Sequence, residues 1–210
     1  MNSTKIRGGK AGFWSVIALT LVLAGCALKP KFLMQGYTPP RKVAVLPMAN
    51  QSNDMKGPEY VRQEFIRMIE KRGYTVMPAT ETDEMLRTKL GVTEGGQMNS
   101  TTPQKAGEAL GVDAVVYGDL INFKFLNIGF YQNKLVEANF RMMETKSGQA
   151  LWEDQRKASR KQVQTSLKGA GQAMAGGLVE KAVGNMLGVP LYEQVQAVVR
   201  MATSTLPKAR

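Results

Sequence analysis

The residues that could do chemistry in this chain are few, and the missing types narrow the choice further. Among its 210 residues there is one cysteine and no histidine. Histidine-based triads, imidazole acid–base chemistry and nitrogen-rich zinc sites are therefore excluded. Carboxylates, lysine, tyrosine and serine remain as possible catalysts, and the neighbouring carboxylates form two sets: Glu81, Asp83 and Glu84 at a predicted helix start, and Glu153 and Asp154 on a predicted strand. Acids at a helix start stabilise the helix dipole, and we predict a non-enzymatic protein with no catalytic residue, metal site or cofactor.

The single cysteine, Cys26, has the sequence context of a lipid attachment site. The first ten residues carry three bases and no acid, and the next 15, Ala11 to Gly25, carry no charge. This pattern is typical of a secretory signal peptide, and the apolar run is shorter than the roughly 20 residues of a spanning helix. Leu23-Ala24-Gly25-Cys26 resembles a bacterial lipobox. We predict a signal peptide over residues 1–25, cleavage between Gly25 and Cys26, and lipidation of Cys26; the alternative is an ordinary signal peptide that ends near a cysteine.

The residue after the cysteine, Ala27, bears on the destination. Aspartate at this position would favour retention in the inner membrane, and alanine resembles the pattern of lipoproteins released to the outer membrane. We therefore expect an outer-membrane protein facing the periplasm, with acylated Cys26 in contact with outer-membrane lipid. An acylated Cys26 leaves no free thiol, so no disulfide forms within the chain.

The net charge of +11 is concentrated at the C-terminal end. Residues 155–210 hold nine basic and two acidic residues, whereas residues 26–154 hold 16 basic and 15 acidic ones. An exported protein meets lipid headgroups, lipopolysaccharide phosphates and acidic proteins, so we predict no nucleic-acid partner. The basic region is interpreted either as a second membrane contact or as a solvated face.

Apolar periodicity predicts one α+β domain over residues 42–161, after a proline-bearing lipidated tether at 26–41. Strands are predicted at 42–47 and 74–77, followed by an antiparallel meander at 113–125, 131–145 and 149–160. Helices are predicted between Pro58 and Gly73, at 82–90 and at 103–110. The order β-α-β-α-α-β-β-β indicates a mixed β-sheet with helices on one side.

The C-terminal segment, residues 162–210, differs in kind. Residues 163–189 contain six glycines within a helical apolar stripe, and each glycine costs a helix about 1 kcal/mol relative to alanine. After Pro190, a second helix is predicted over 191–205. The segment is interpreted as a packed helix pair or as an arm that becomes ordered on assembly.

Aromatic side chains and two loops are the remaining candidates for binding. We interpret the larger aromatic residues as core rather than ligand-stacking groups: Tyr117, Phe123, Phe125, Phe140 and Trp152. The loop Asn50–Gly57 and the hairpin Asn127–Asn133 are the better binding candidates, because loops at strand ends often carry function.

Three stretches, in order and spacing, resemble one family. They are Leu90–Glu94, Leu110–Tyr117 and Glu144–Glu153, reading LGVTE, LGVDAVVY and ETKSGQALWE. The likeness is to bacterial lipoproteins typified by a genome-derived neisserial vaccine antigen. That family's domain is similar to the N-terminal domain of the translocation protein TolB, to curli-secretion lipoproteins and to lipoprotein activators of penicillin-binding proteins. The resemblance implies a TolB-like α+β fold that acts through protein contacts.

These observations lead to one main functional prediction and two alternatives. We expect a membrane-anchored lipoprotein that binds other envelope proteins, and copies of itself, in an assembly, secretion or transport system. An activator of a cell-wall synthase is the first alternative; a tether of 15 residues reaches only about 50 Å, which counts against it. A small-ligand binder or enzyme that uses the loop Asn50–Gly57 is the second.

Overall fold

The structure is a computed structural model that describes residues 28–128, 131–163 and 191–209. Its elements are β1 (Phe32–Leu33), β2 (Lys42–Val45), β3 (Ala49–Asn50), α1 (Gly57–Glu70), β4 (Thr75–Val76), α2 (Ala79–Leu90), a 3₁₀ turn (Gly95–Ser100), α3 (Pro103–Leu110), β5 (Ala114–Ile128), β6 (Tyr131–Glu144), β7 (Ala150–Val163) and α4 (Tyr192–Thr205).

The strands form one mixed sheet of seven strands. Its order is β1-β7-β6-β5-β2-β4, with β3 pairing to β5 beyond the end of β2. The strands β2, β3 and β4 run parallel to their neighbours, whereas β5, β6 and β7 form an antiparallel meander. The predicted α+β class and mixed sheet are confirmed.

Helices pack on both faces of this sheet, so the expectation of helices on one side was wrong. Alternate residues of a strand point to opposite faces. Val43 and Val45 belong to the core that includes residues of α1 and α4, whereas Ala44 and Leu46 belong to the core that includes residues of α2 and α3. The continuous apolar run of β2 is the signature of a strand buried on both faces.

The C-terminal helix α4 completes the first of these cores. Val195, Val198 and Val199 are at most 1% exposed and share a cluster with Phe65 of α1. There Phe65 stacks on Phe140 with ring centroids 4.3 Å apart. The predicted helix over 191–205 is present, and it belongs to the folded domain rather than to a separate appendage. The glycine-rich residues 164–190 lie outside the described residues.

The segment predicted as a tether is partly folded onto the domain. β1 pairs antiparallel with Trp152 and Glu153 of β7. Lys31 forms a 2.7 Å ion pair with Glu153, and Arg156 donates a 2.6 Å hydrogen bond to the Lys29 carbonyl. The structure therefore differs from a free tether over 26–41, because the chain is attached to the domain from Lys29 onward.

Polar contacts fasten α4 to β7. The Trp152 indole donates to the Thr205 hydroxyl at 3.1 Å, and that hydroxyl donates to the Asp154 carboxylate at 2.7 Å. Asp154 is 2% exposed, and Arg156 donates two further hydrogen bonds to it. A buried carboxylate requires such partners, so this cluster fixes the register of α4 on the sheet.

A pair of tyrosines joins the two ends of the described chain. The Tyr74 hydroxyl donates a hydrogen bond to the Pro207 carbonyl at 2.7 Å. Because the single proton of that hydroxyl is used there, the Tyr37 hydroxyl is the donor in the 2.7 Å hydrogen bond between the two tyrosines. Burial raises the pKa of Tyr37, and the hydrogen bond it donates to Tyr74 raises that pKa further. Burial also raises the pKa of Tyr74.

A buried arginine closes the sheet where β4 ends. The Met77 backbone N–H donates to the Val43 carbonyl of β2. The next β2 carbonyl on the same side is that of Val45, and it lies beyond the end of β4, where β4 offers it no donor. Arg62, only 1% exposed, donates to that carbonyl at 3.1 and 2.8 Å. Its guanidinium also binds the Asp83 carboxylate of α2 at 2.9 and 2.7 Å. One side chain thus links β2, α1 and α2.

Candidate interaction surface

The meander extends beyond the rest of the sheet as a three-stranded ribbon. β2 pairs with β5 only as far as Val116, and β3 only as far as Leu120. A register irregularity follows between Leu120 and Asn122. Residues 122–128, 131–137 and 157–163 then pair only with one another among the described residues; we call them the distal ribbon.

One face of the distal ribbon carries an exposed apolar cluster. Ile128, Tyr131 and Val163 are register partners across the three strands, and Leu126 lies two residues earlier on the same face. The exposed fractions of Ile128, Val163 and Leu126 are 62%, 63% and 43%. These four residues are the distal apolar surface. Exposed apolar residues in a contiguous group, in contrast to scattered single ones, mark interaction sites.

The opposite face of the distal ribbon is less apolar. Phe125, predicted as core, is 57% exposed, which corrects that prediction. The Lys134 ammonium lies 5.6 Å from its ring centroid, the geometry of a cation–π contact. The prediction is confirmed for the other aromatic residues. Phe123, Phe140 and Trp152 are buried, and the partly buried Tyr117 packs against the α2/α3 core.

The loop Asn50–Gly57, predicted as a binding candidate, uses its polar groups internally. The side-chain amide oxygen of Asn50 (Oδ1) accepts hydrogen bonds from the backbone N–H and the hydroxyl of Ser52. The Asp54 carboxylate accepts from the backbone N–H groups of Lys56 and Gly57 at the start of α1. Side chains that bond their own loop act as turn and cap groups. Met55, 89% exposed, projects from the loop.

Four of the five carboxylates singled out in the sequence are held in ion pairs, and the fifth, Glu81, is exposed. Asp83 binds Arg62, and Glu84 binds Arg87 at 2.7 Å, a contact that lowers the pKa of Glu84. Glu153 and Asp154 point to opposite faces of β7 and bind Lys31 and Arg156, respectively. Within the described ranges, no cluster of three or more potential metal ligands occurs.

A shallow groove of about 450 Å³ lies between α1, the start of α2 and α4. Its apolar lining includes Tyr60, Ile66, Tyr192 and Val195. On its rim, Arg67 binds the Glu64 carboxylate through two hydrogen bonds. Both of these charges are paired, and Glu70, which also lines the groove, is exposed.

The predicted lipidation and cleavage residues, Cys26 and Gly25, lie outside the described residues. The predicted hairpin Asn127–Asn133 is described except for residues 129 and 130, and its flanks supply Ile128 and Tyr131 to the distal apolar surface. The sequence analysis missed Val163, which comes from the end of β7. In the part of the chain that is described, no helix has the length and apolar character needed to cross a membrane.

Comparisons with known proteins agree with this fold. A family model described as "Putative lipoprotein GNA1162-like" matches residues 35–207. A curated lipoprotein of Neisseria meningitidis serogroup B is 25% identical over 140 residues, and the match spans 65% of this chain and 65% of the relative's length.

Two solved structures are similar in fold. The crystal structure of lipoprotein GNA1162 from Neisseria meningitidis has a TM-score of 0.54 at 21% identity, covering 71% of this chain and 99% of that one. A PelC dodecamer from Paraburkholderia phytofirmans has a TM-score of 0.50 at 12% identity, covering 85% and 95%. At these identities the likeness concerns the fold alone.

Proposed function

Because the chain belongs to the GNA1162-like lipoprotein family, we propose that it is a lipid-anchored, protein-binding component of an envelope assembly, secretion or transport system. Acylated Cys26 attaches it to the outer membrane, and the domain faces the periplasm. The distal apolar surface is its contact with protein partners, of which a second copy of this chain is the first. The proposal includes no catalytic step.

The observation that carries this proposal is the exposure of the distal apolar surface. Ile128 and Val163 are each more than 60% exposed. They lie on the two outer strands of the ribbon, and Tyr131 on the central strand is the register partner of both. Soluble proteins generally protect such strand ends or use them for association. Covering this surface stabilises a complex by roughly 25 cal/mol for each Å² of apolar area buried.

A second copy is favoured because the ribbon has an open edge that reaches the distal apolar surface. Beyond Leu120 the outer edge of β5, which ends at Ile128, has no strand partner among the described residues. An open strand edge can pair with the same edge of a second copy. The PelC structure of similar fold is a dodecamer, and we extend that assembly principle to this chain.

Site-specific cross-linking in intact cells tests the surface. Cys26 is the only native cysteine, and acylation blocks its thiol, so Val163→Cys or Ile128→Cys introduces the one reactive thiol. A bifunctional thiol reagent should join two copies through either position. Met55→Cys, on an equally exposed apolar residue of another loop, is the matched control. If Met55→Cys forms dimers as readily as Val163→Cys, the assembly proposal fails.

The lipid anchor has its own test. Intact-mass measurement of the mature protein should show acyl chains on a chain that begins at Cys26, and Cys26→Ser should release the protein from membranes into the periplasm. A mature protein without acyl chains would refute the anchor. A Cys26→Ser protein that keeps its signal peptide and stays in the inner membrane would not refute it, because that protein is unlipidated.

The attachment of the chain from Lys29 onward also bears on the synthase-activator alternative. With Arg156 bound to the Lys29 carbonyl, only residues 27 and 28 separate the anchor from the domain. The three residue steps from Cys26 to Lys29 span about 11 Å at most, far less than the roughly 50 Å available to a free 15-residue tether. This short reach favours a role close to the membrane.

A further inference from the structure

The edge of the sheet nearest the predicted anchor combines basic and apolar side chains. We propose that residues 28–33 and the outer edge of β7, residues 153–161, dock directly on the anionic phospholipid bilayer that holds Cys26. We call these two segments the anchor edge. This inference deepens the proposed function and rests on the lipidation of Cys26 proposed there.

Chain length places the anchor edge against the membrane. The Lys29 carbonyl is bound to Arg156 of β7, and three residue steps from Cys26 to Lys29 cover about 11 Å. An acylated cysteine lies at the bilayer surface, so the Lys29 end of this edge is held within about 11 Å of the lipid headgroups. Other parts of the domain have no comparable constraint.

The charges on the anchor edge match such a surface. Its basic residues are Lys29, Lys31, Arg156, Lys157, Arg160 and Lys161. The side chains of Lys31, Lys157 and Arg160 are 53–57% exposed. Lysine and arginine near an anionic bilayer contribute attraction that weakens beyond a Debye length.

The acidic groups that face the anchor edge are mostly withdrawn from its surface. The Glu153, Asp154 and Glu137 side chains are 19%, 3% and 16% exposed. Of the acidic groups in the described part of the chain that face this edge, only Glu193 of α4, which pairs with Arg160, is comparably open at 56%. The outward layer of this edge is thus basic, although four acids lie near it.

Apolar residues complete the surface. Leu28, Phe32 and Leu33 are 48%, 43% and 41% exposed, within the same six residues that carry Lys29 and Lys31. Alternation of exposed apolar and basic side chains beside an acyl anchor is the pattern of interfacial membrane contacts, where one chain alone gives weak attachment and a second signal strengthens it.

Lysine labelling on vesicles tests the docking. The mature lipoprotein, its acylation confirmed by intact mass, is inserted into phosphatidylcholine vesicles with or without phosphatidylglycerol and treated with an amine-acetylating reagent. Lys31, Lys157 and Lys161 should react several-fold more slowly on the anionic vesicles. Lys56 and Lys105, exposed on other elements, should react equally on both.

A second measurement separates docking from anchoring. The full mature chain carrying Cys26→Ser should still bind anionic vesicles weakly, and Lys157→Gln and Lys161→Gln should each weaken that binding about fivefold. Lys105→Gln is the matched control and should leave it unchanged.

The outcomes distinguish the two proposals. Absent acyl chains overturn the anchor and this inference together. Acylated protein with equal lysine reactivity on both vesicle types overturns the docking and leaves the proposed function standing. Equal slowing at Lys105 also overturns it, because the protection is then not specific to the anchor edge.

Discussion

Removing either partner of the Arg62–Asp83 ion pair should destabilise the fold, but loss of Asp83 should cost more free energy of unfolding than loss of Arg62. Arg62 is 1% exposed and Asp83 is about half exposed, with side-chain fractions of 2% and 47%. Asp83→Ala therefore leaves a charged guanidinium buried with the Val45 carbonyl and a single longer contact, 3.6 Å, to Glu59. An uncompensated buried charge costs roughly 3–5 kcal/mol, and the partners that remain put our expectation at about 3 kcal/mol.

The reverse change should cost less. Arg62→Met keeps much of the apolar stem and leaves an Asp83 carboxylate that water can solvate. Its main penalty is the Val45 carbonyl, which loses its donor beyond the end of β4; an unsatisfied buried acceptor costs about 1–3 kcal/mol. Because the double variant has no buried charge, it should be about as stable as Arg62→Met alone.

Urea unfolding of the full mature chain carrying Cys26→Ser measures these differences as a double-mutant cycle. The coupling energy between the two positions should be about 3 kcal/mol, the full cost of Asp83→Ala, because that cost disappears in the double variant. Glu84→Ala, which removes an exposed ion pair on the same helix, is the control and should cause no measurable loss. If Arg62→Met is the more destabilising single change, or if the two changes are additive, the reasoning from burial is refuted.

Three further predictions concern closure of the domain and its packing. Thr205→Val removes the hydroxyl that joins α4 to β7 and should lower the free energy of unfolding by about 1–3 kcal/mol, whereas Ser204→Ala, on an exposed neighbour, should leave it nearly unchanged; equal effects would contradict the assigned role. Burial raises the pKa of Tyr37, so the neutral phenol stabilises the fold below pH ~10, and this contribution is lost as pH rises above that value. Tyr37→Phe should therefore reduce the loss of stability at alkaline pH. A pH profile of stability that is unchanged in Tyr37→Phe would contradict this role of the phenol. Gly107→Ala places a methyl group 2.2 Å from a Thr145 side-chain carbon and should destabilise the fold by about 1–3 kcal/mol through overpacking. The control is Gly96→Ala, whose methyl group meets no atom within 4 Å. Thermal unfolding compares the two variants, and similar melting temperatures would contradict the prediction.

Local signals in the sequence predicted much of the fold. The helix α3 begins after Thr102, whose hydroxyl accepts from the Lys105 backbone, and ends at Gly111 with a φ of 64°. Both are signals that one turn of chain defines. The alternation in β5 and β6 likewise predicted strands, because side-chain direction in a strand has a period of two.

The misses depend on contacts between distant segments. Alternation gives the face of a residue but not whether a helix covers it, so Phe125 was expected in the core with Phe123, two residues earlier. Arg62 reads as a solvated residue of an amphipathic helix, and its burial depends on where β4 stops. The candidate surface was located only in part, since Val163 joins Ile128 through the pairing of three strands rather than through any sequence pattern.

The position of α4 far along the chain from α1 has a consequence for the order of folding. Phe65 and Trp152 share their core with Val195, Val198 and Val199, so this core is incomplete until α4 docks, whereas the buried residues of the other core all lie between Ala44 and Val115. Contacts of wide sequence separation form late, since long loops must close first. We therefore expect the docking of α4 to be a late step in folding.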